Sequence, residues 1–287
     1  MRRLLLALML GALATPVWAQ QDQPPLQCRY DASGRVDYQA CLDASAPGTP
    51  WAMLSHINLG TRAFLNADHA TAVRHYDAAQ PGNGDTFYSD AEFHAYYAAT
   101  LHQVGRLDDG VVQARRALAV MNADRSLPSS VRDRFSAVPV DRELVYAAIL
   151  PVLHAAGDEQ AEAVRVSYLQ MPAVDWVSWA NRAGVLQQIG DLRGALSASE
   201  QSLQLQPDHP AVLNNHCYIL TLLGRANEAL PYCERAVEAA PGIAGARHSL
   251  ASAYAALGQC GNARVQLDEA RRLDPESEDY RHDLACR

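Results

Sequence analysis

The residues able to do chemistry are 6 cysteines, 10 histidines and 32 carboxylates in a chain of 287 residues, and their spacing decides which chemistry is open. Cys28, Cys41, Cys217, Cys233, Cys260 and Cys286 contain no C-x-x-C pair, so a dithiol redox centre and a zinc knuckle both lack their spacing. An even cysteine count suits disulfides in an oxidising compartment, with fifteen pairings open in principle. The histidines are scattered, the densest group being His69, His75, His94 and His102. A metal site there would need two helices to converge, and no ligand spacing is present, so solvated or groove-lining histidines are expected. There is no H-E-x-x-H, G-x-S-x-G or phosphate-binding loop. No catalytic residue, metal or cofactor is therefore expected. All of the positive charge is arginine, which removes lysine nucleophiles as well. Asp108, Asp109, Glu159 and Glu162 stand where helices should start, and there they suit the helix dipole.

The first residues bear on compartment. Arg2 and Arg3 precede an apolar run from Leu4 to Leu13 and a small-residue site at Val17-Trp18-Ala19, the three-part layout of a secretory signal at 1–19. The apolar run is well short of the ~20 residues a membrane span needs. No cysteine follows the cleavage site to carry a lipid. The expected product is exported, periplasmic and free of membrane insertion. Losing Arg2 and Arg3 takes the formal charge from -8 to -10, which leaves no basic footprint for nucleic acid.

The elements that must position these residues are set by a repeat. Gly190, Gly224 and Gly258 are 34 residues apart, with Ala195, Ala229 and Ala263 five residues after each and Pro207, Pro241 and Pro275 seventeen after each. A fixed period of this length across 176–275 is the mark of stacked helix–turn–helix units. Each unit reads as helix A, a glycine turn, helix B, then a proline that stops helix B because it lacks an N–H. Trp179, Ala183, Leu186, Gly190, Ala195 and Pro207 stand at positions 4, 8, 11, 15, 20 and 32 of the first unit. Leu213, Cys217, Leu220, Gly224, Ala229 and Pro241 fill them in the second, and Arg247, Ala251, Tyr254, Gly258, Ala263 and Pro275 in the third. The pattern resembles that of tetratricopeptide repeat (TPR) proteins. Arg182 and Arg247 depart from it at usually apolar positions.

The resemblance implies an all-α, right-handed α-solenoid of about six units over 51–287. Degenerate units are expected at 51–81 (Gly60 at position 8), 91–120 (Gly110 at position 20) and 143–172, where Pro151 should kink helix A. A disulfide-stapled segment at 20–50 precedes them, and residues 276–287 are expected to form a capping helix with Tyr280 and Leu284 on one face. Residues 121–142 form the longest interruption. Helices A and B of a unit run antiparallel, so positions 8 and 24 lie level. This places Cys217 opposite Cys233, Cys28 and Cys41 close a short N-terminal loop, and Cys260 is left with Cys286.

For function the resemblance implies a protein or extended peptide partner in the concave groove lined by helix A. Asparagine at position 6 contacts the ligand backbone in that family, and Asn58, Asn181 and Asn215 stand there. Neighbouring groove positions are Gln187, Gln188, Asn214, Tyr218, Thr221, His248 and Ser252, all polar and uncharged. No arginine occupies positions 5, 6 or 9 of the clear units, so a carboxylate clamp is not expected. The expected role is a non-enzymatic adaptor. The alternative is an accessory subunit of an exported enzyme complex that uses the convex face or the 121–142 segment.

Overall fold

The computed structural model describes residues 25–29, 35–79, 91–123, 141–275 and 277–286. The secretory signal at 1–19 and most of the 121–142 segment lie outside these. Among the described residues there are thirteen α-helices and no strand. A short helix, α1 (Tyr38–Asp43), leads into six hairpins. These are α2 (Pro50–Leu65) with α3 (His69–Ala79), α4 (Ala91–Gln103) with α5 (Leu107–Ala123), and α6 (Arg142–Ala155) with α7 (Ala161–Gln170). They continue as α8 (Trp176–Gln188) with α9 (Leu192–Leu205), α10 (Pro210–Leu222) with α11 (Ala226–Ala239), and α12 (Ala244–Ala256) with α13 (Cys260–Leu273). Helix A of each hairpin also touches helix A of the next, which is the geometry of an array whose units contact only their neighbours.

Local chemistry accounts for the boundaries. Thr49, Asp141, Asp175 and Asp191 cap α2, α6, α8 and α9 by accepting a hydrogen bond from the amide three residues on, which satisfies one of the orphan donors of each first turn. Five of the six hairpin turns put a glycine in the left-handed region, from Gly157 at φ 63° to Gly105 at φ 78°. The first hairpin instead holds Ala67 at φ 60°, a conformation whose Cβ clashes with the following carbonyl. Ala67→Gly relieves that clash at the cost of a more flexible unfolded chain. The expected net gain is about 0.5 kcal/mol, read as a higher denaturation midpoint with an unchanged slope.

Between the two helices of a hairpin, positions 8 and 24 meet, and the chain solves this contact differently along the array. Gly60 faces Tyr76 so closely that a Cβ at Gly60 would lie 2.8 Å from the ring. The next hairpin pairs Ala98 with Ala114, both fully buried, and the fifth pairs Cys217 with Cys233 in a disulfide whose Cα atoms are 5.2 Å apart. Gly110 lacks the usual alanine at position 20 because a Cβ there would lie 3.2 Å from the Ala98 carbonyl oxygen and from Val152. The two arginines at apolar positions are also accounted for. Arg182 is buried, donates to the Met171 carbonyl at 2.7 Å and lies over the rings of Tyr168 and Trp179. Arg247 donates to the Pro241 carbonyl and to Gln266.

The other two disulfides join Cys28 to Cys41 and Cys260 to Cys286. The last of these corrects the form of the C-terminal cap. Residues 278–280 make a single 3₁₀ turn and the chain beyond is not helical. The tail leaves the C-terminal end of α13 and must reach Cys260 at its N-terminal end, a rise of roughly 20 Å. The twelve residues Pro275–Cys286 would rise only about 17 Å as an α-helix, and extended chain covers the difference. Arg271 fixes its path by donating to the carbonyls of Tyr280 and Arg281 and pairing with Asp283 at 2.9 Å. Tyr280 still covers α12, its ring centroid 5.1 Å from that of His248.

Candidate functional site

The A helices line a cavity of about 650 Å³ that draws on five of the six hairpins, from Phe64 at the end of α2 to Asn215 on α10. Its N-terminal wall is aromatic: Phe64 and Tyr96 have ring centroids 5.2 Å apart, with His69 5.7 Å from Phe64. Leu144, Ala147, Ala148, Pro151 and Val152 of α6 form an apolar centre. The C-terminal wall is α8, with Ser178, Asn181, Gly184 and Gln188. Gly184 leaves open space where a side chain would stand, so the backbone itself forms part of that wall.

Pro151 sits within α6. Having no N–H, it leaves the Ala147 carbonyl without its intrahelical donor, and both residues line the cavity. Glu143 and Tyr168 sit beside them. The Glu143 Oε1 and the Tyr168 hydroxyl are buried without a hydrogen-bond partner. Burial holds the Glu143 carboxyl above its ordinary range, against the opposing charge of Arg182. Burial likewise raises the Tyr168 phenol, with the Glu143 charge adding to it. His69 is held below its ordinary range by burial, and its Nδ1 is also buried and unpartnered.

Of the polar positions expected to line the groove, Asn181, Gln188 and Asn215 do so. Asn58 instead donates to the Leu54 carbonyl of its own helix at 2.9 Å. Thr221 and Ser252 spend their hydroxyls on the carbonyls of Cys217 and His248. Gln187, Asn214, Tyr218 and His248 stand on α8, α10 and α12 outside the cavity. Sequence reasoning missed Glu143, Tyr168, Phe64 and Tyr96, which belong to units whose repeat pattern is weak. The acid of Glu143 before an apolar run is the available signal, and it reads equally as a dipole-complementing helix start.

The four clustered histidines do not converge. His75 pairs with His56, their Nδ1 atoms 2.9 Å apart, and His94 bonds Gln113 at 2.8 Å. No group of three or more histidine, cysteine, aspartate or glutamate side chains among the described residues is placed to hold a metal ion.

Residue spacing gave no warning of a serine–histidine contact. Ser199 Oγ lies 2.9 Å from His216 Nδ1, beside a second cavity of about 560 Å³ lined by His216, Arg225 and Tyr232. Its geometry is wrong for nucleophilic catalysis. The Ser199 hydroxyl has a single proton and also lies 2.8 Å from the Leu196 carbonyl, which competes with His216 for it. Ser199 is only 1% exposed, and a nucleophile must reach its substrate. The pair ties α9 to α10.

No family model matches the chain. A TPR repeat-containing thioredoxin, TTL4, from Arabidopsis thaliana is 36% identical over 83 residues, which are 29% of this chain and 12% of that protein. Solved structures similar to the chain include YrrB, described as a TPR protein with an unusual peptide-binding site (18% identical, 67% of this chain and 90% of that one, TM-score 0.38). TTC0263, a thermophilic TPR protein of Thermus thermophilus, is 17% identical over 80% of this chain and 95% of its own, with a TM-score of 0.40. Cut9 with Hcn1 from the APC/C hetero-tetramer is 13% identical over 79% and 41%, with a TM-score of 0.47.

Proposed function

We propose that this tetratricopeptide-repeat protein is an exported, non-enzymatic adaptor that holds an extended, weakly charged segment of a partner protein along its concave face. The observation that carries this reading is the cavity of about 650 Å³ shared by five hairpins and lined by Asn181 and Asn215, one repeat apart. Side-chain amides recurring at a regular rise can address successive backbone amides of an extended chain, and the apolar centre on α6 takes its side chains. Three disulfides with no free cysteine among the described residues suit an oxidising compartment. No described helix is long and apolar enough to cross a membrane.

Each amide–backbone hydrogen bond is worth about 1 kcal/mol net. Asn181→Ala with Asn215→Ala should therefore weaken partner binding roughly tenfold to thirtyfold with the circular dichroism unchanged. Salt should matter little to these two contacts, since the amides that make them are uncharged. Calorimetric titration with the captured partner checks both points. Binding that ignores the double substitution, or that collapses between low and moderate salt, places the contact elsewhere.

A further inference from the structure

We propose that the floor of this cavity, between α6, α7 and α8, is a subsite for one positively charged side chain of the bound segment, an arginine or lysine, with Glu143 as its counter-ion and the Tyr168 hydroxyl as a second acceptor. This deepens the groove reading and rests on it.

The argument begins with unmet demand. A buried polar atom without a partner forfeits its hydration and is costly, a carboxylate oxygen most of all. The Glu143 Oε1 and the Tyr168 hydroxyl are both in that condition. Tyr168 is 0% exposed yet borders the cavity, so what could satisfy its hydroxyl must come from inside. The Ala147 carbonyl, deprived of its intrahelical donor by Pro151, belongs to a residue that lines the same cavity. A carboxylate and a carbonyl can only accept, and together they call for a group made of N–H donors, which ammonium and guanidinium are.

Charge points the same way. The charges of Asp141 and Asp175 act on Glu143, and those of Glu92 and Asp141 act on Tyr96. Against these four carboxylates stands one buried cation, Arg182. Its guanidinium donates to the Met171 carbonyl and lies over Tyr168 and Trp179, its Nε has no partner, and its charge acts on both Glu143 and Tyr168. No ion pair joins it to Glu143 among the described residues. Arg142 is likewise engaged, lying over the Tyr146 ring. An anionic ligand would meet a net negative floor, whereas a cation is attracted and finds acceptors. Leu144, Ala148 and Val152 line the approach, which suits the methylene stem of a long basic side chain.

The test uses two equimolar pools of heptapeptides, randomised at six positions over uncharged residues, with arginine at the centre of one and its neutral isostere citrulline at the centre of the other. Retention on the immobilised full-length chain is compared with retention on Glu143→Gln and on Tyr168→Phe. The arginine pool should be retained roughly tenfold more than the citrulline pool, as expected for hydrogen bonds to a charged group. Glu143→Gln should abolish that preference, so that the two pools are retained alike, and Tyr168→Phe should reduce it severalfold. Equal retention of the two pools by the wild-type chain, or a preference that survives Glu143→Gln, overturns the subsite and leaves the groove reading standing. Retention of neither pool overturns both.

Discussion

Cys217→Ala with Cys233→Ala should destabilise the fifth hairpin by about 3 kcal/mol, the loop-entropy value for a cross-link closing some fifteen residues. Alanine is the right replacement because the second hairpin already places Ala98 and Ala114 in the same two positions, both fully buried. The fold therefore accommodates an alanine pair there, and the loss is chiefly that of the cross-link. Solenoid units unfold semi-independently, so the effect should concentrate in α10 and α11. Hydrogen exchange should show their amides losing protection before those of α4 and α5, with the melting onset earlier than in the wild type. Protection and onset identical to the wild type would mean that the hairpin interface, including Leu213, Leu220 and Ala236, holds the unit without the disulfide.

Removing residues 276–287, with Cys260→Ser to avoid a free thiol, should have the largest effect of all. The Cys260–Cys286 bridge closes a longer loop, with a sequence separation of 26, worth about 3.5 kcal/mol by the same model. The truncation also strips Tyr280 from α12 and ends the Arg271 contacts that hold the tail. The last hairpin, with Leu250 and Leu267 in its interior, then becomes the end of the stack without a cover, and terminal repeats need one. The truncated chain should self-associate in sedimentation and melt earlier. Cys260→Ser with Cys286→Ser in the full chain separates the two causes: it should melt earlier yet stay monomeric. A truncated chain that is monomeric and melts with the wild type would remove the capping role from the tail.

The array was legible because one turn glycine, one alanine and one proline recur at a fixed spacing across 176–275, and local steric demands alone explain each of them. Where the fold satisfies the same demand with different residues, the pattern faded. Ala67 takes the left-handed turn without being glycine, and Gly60 yields its position-8 space to Tyr76. Those exchanges are visible only when both helices are in place. The tail was misjudged in form because its helical tendency is overridden by a long-range constraint, the reach to Cys260. That Asn181 and Asn215 both line the cavity follows from their shared position in the repeat. Glu143 and Tyr168 have no such signal, since an unpartnered buried oxygen is a property of the assembled hairpins and leaves no periodic trace.

The central claim is that the partner lies against the inner face of the A helices, and site-specific photo-cross-linking tests it most directly. A benzophenone amino acid is placed singly at Ala148 in the cavity, at the exposed Arg193 on α9 and at Arg132 in the 121–142 segment. Each variant is then expressed in the exported form and irradiated in the intact cell. The account predicts a discrete covalent adduct from Ala148 that is lost with Asn181→Ala and Asn215→Ala, and none from the other two positions. An adduct from Arg193 or Arg132 with none from Ala148 would contradict it and move the contact to α9 or to the 121–142 segment.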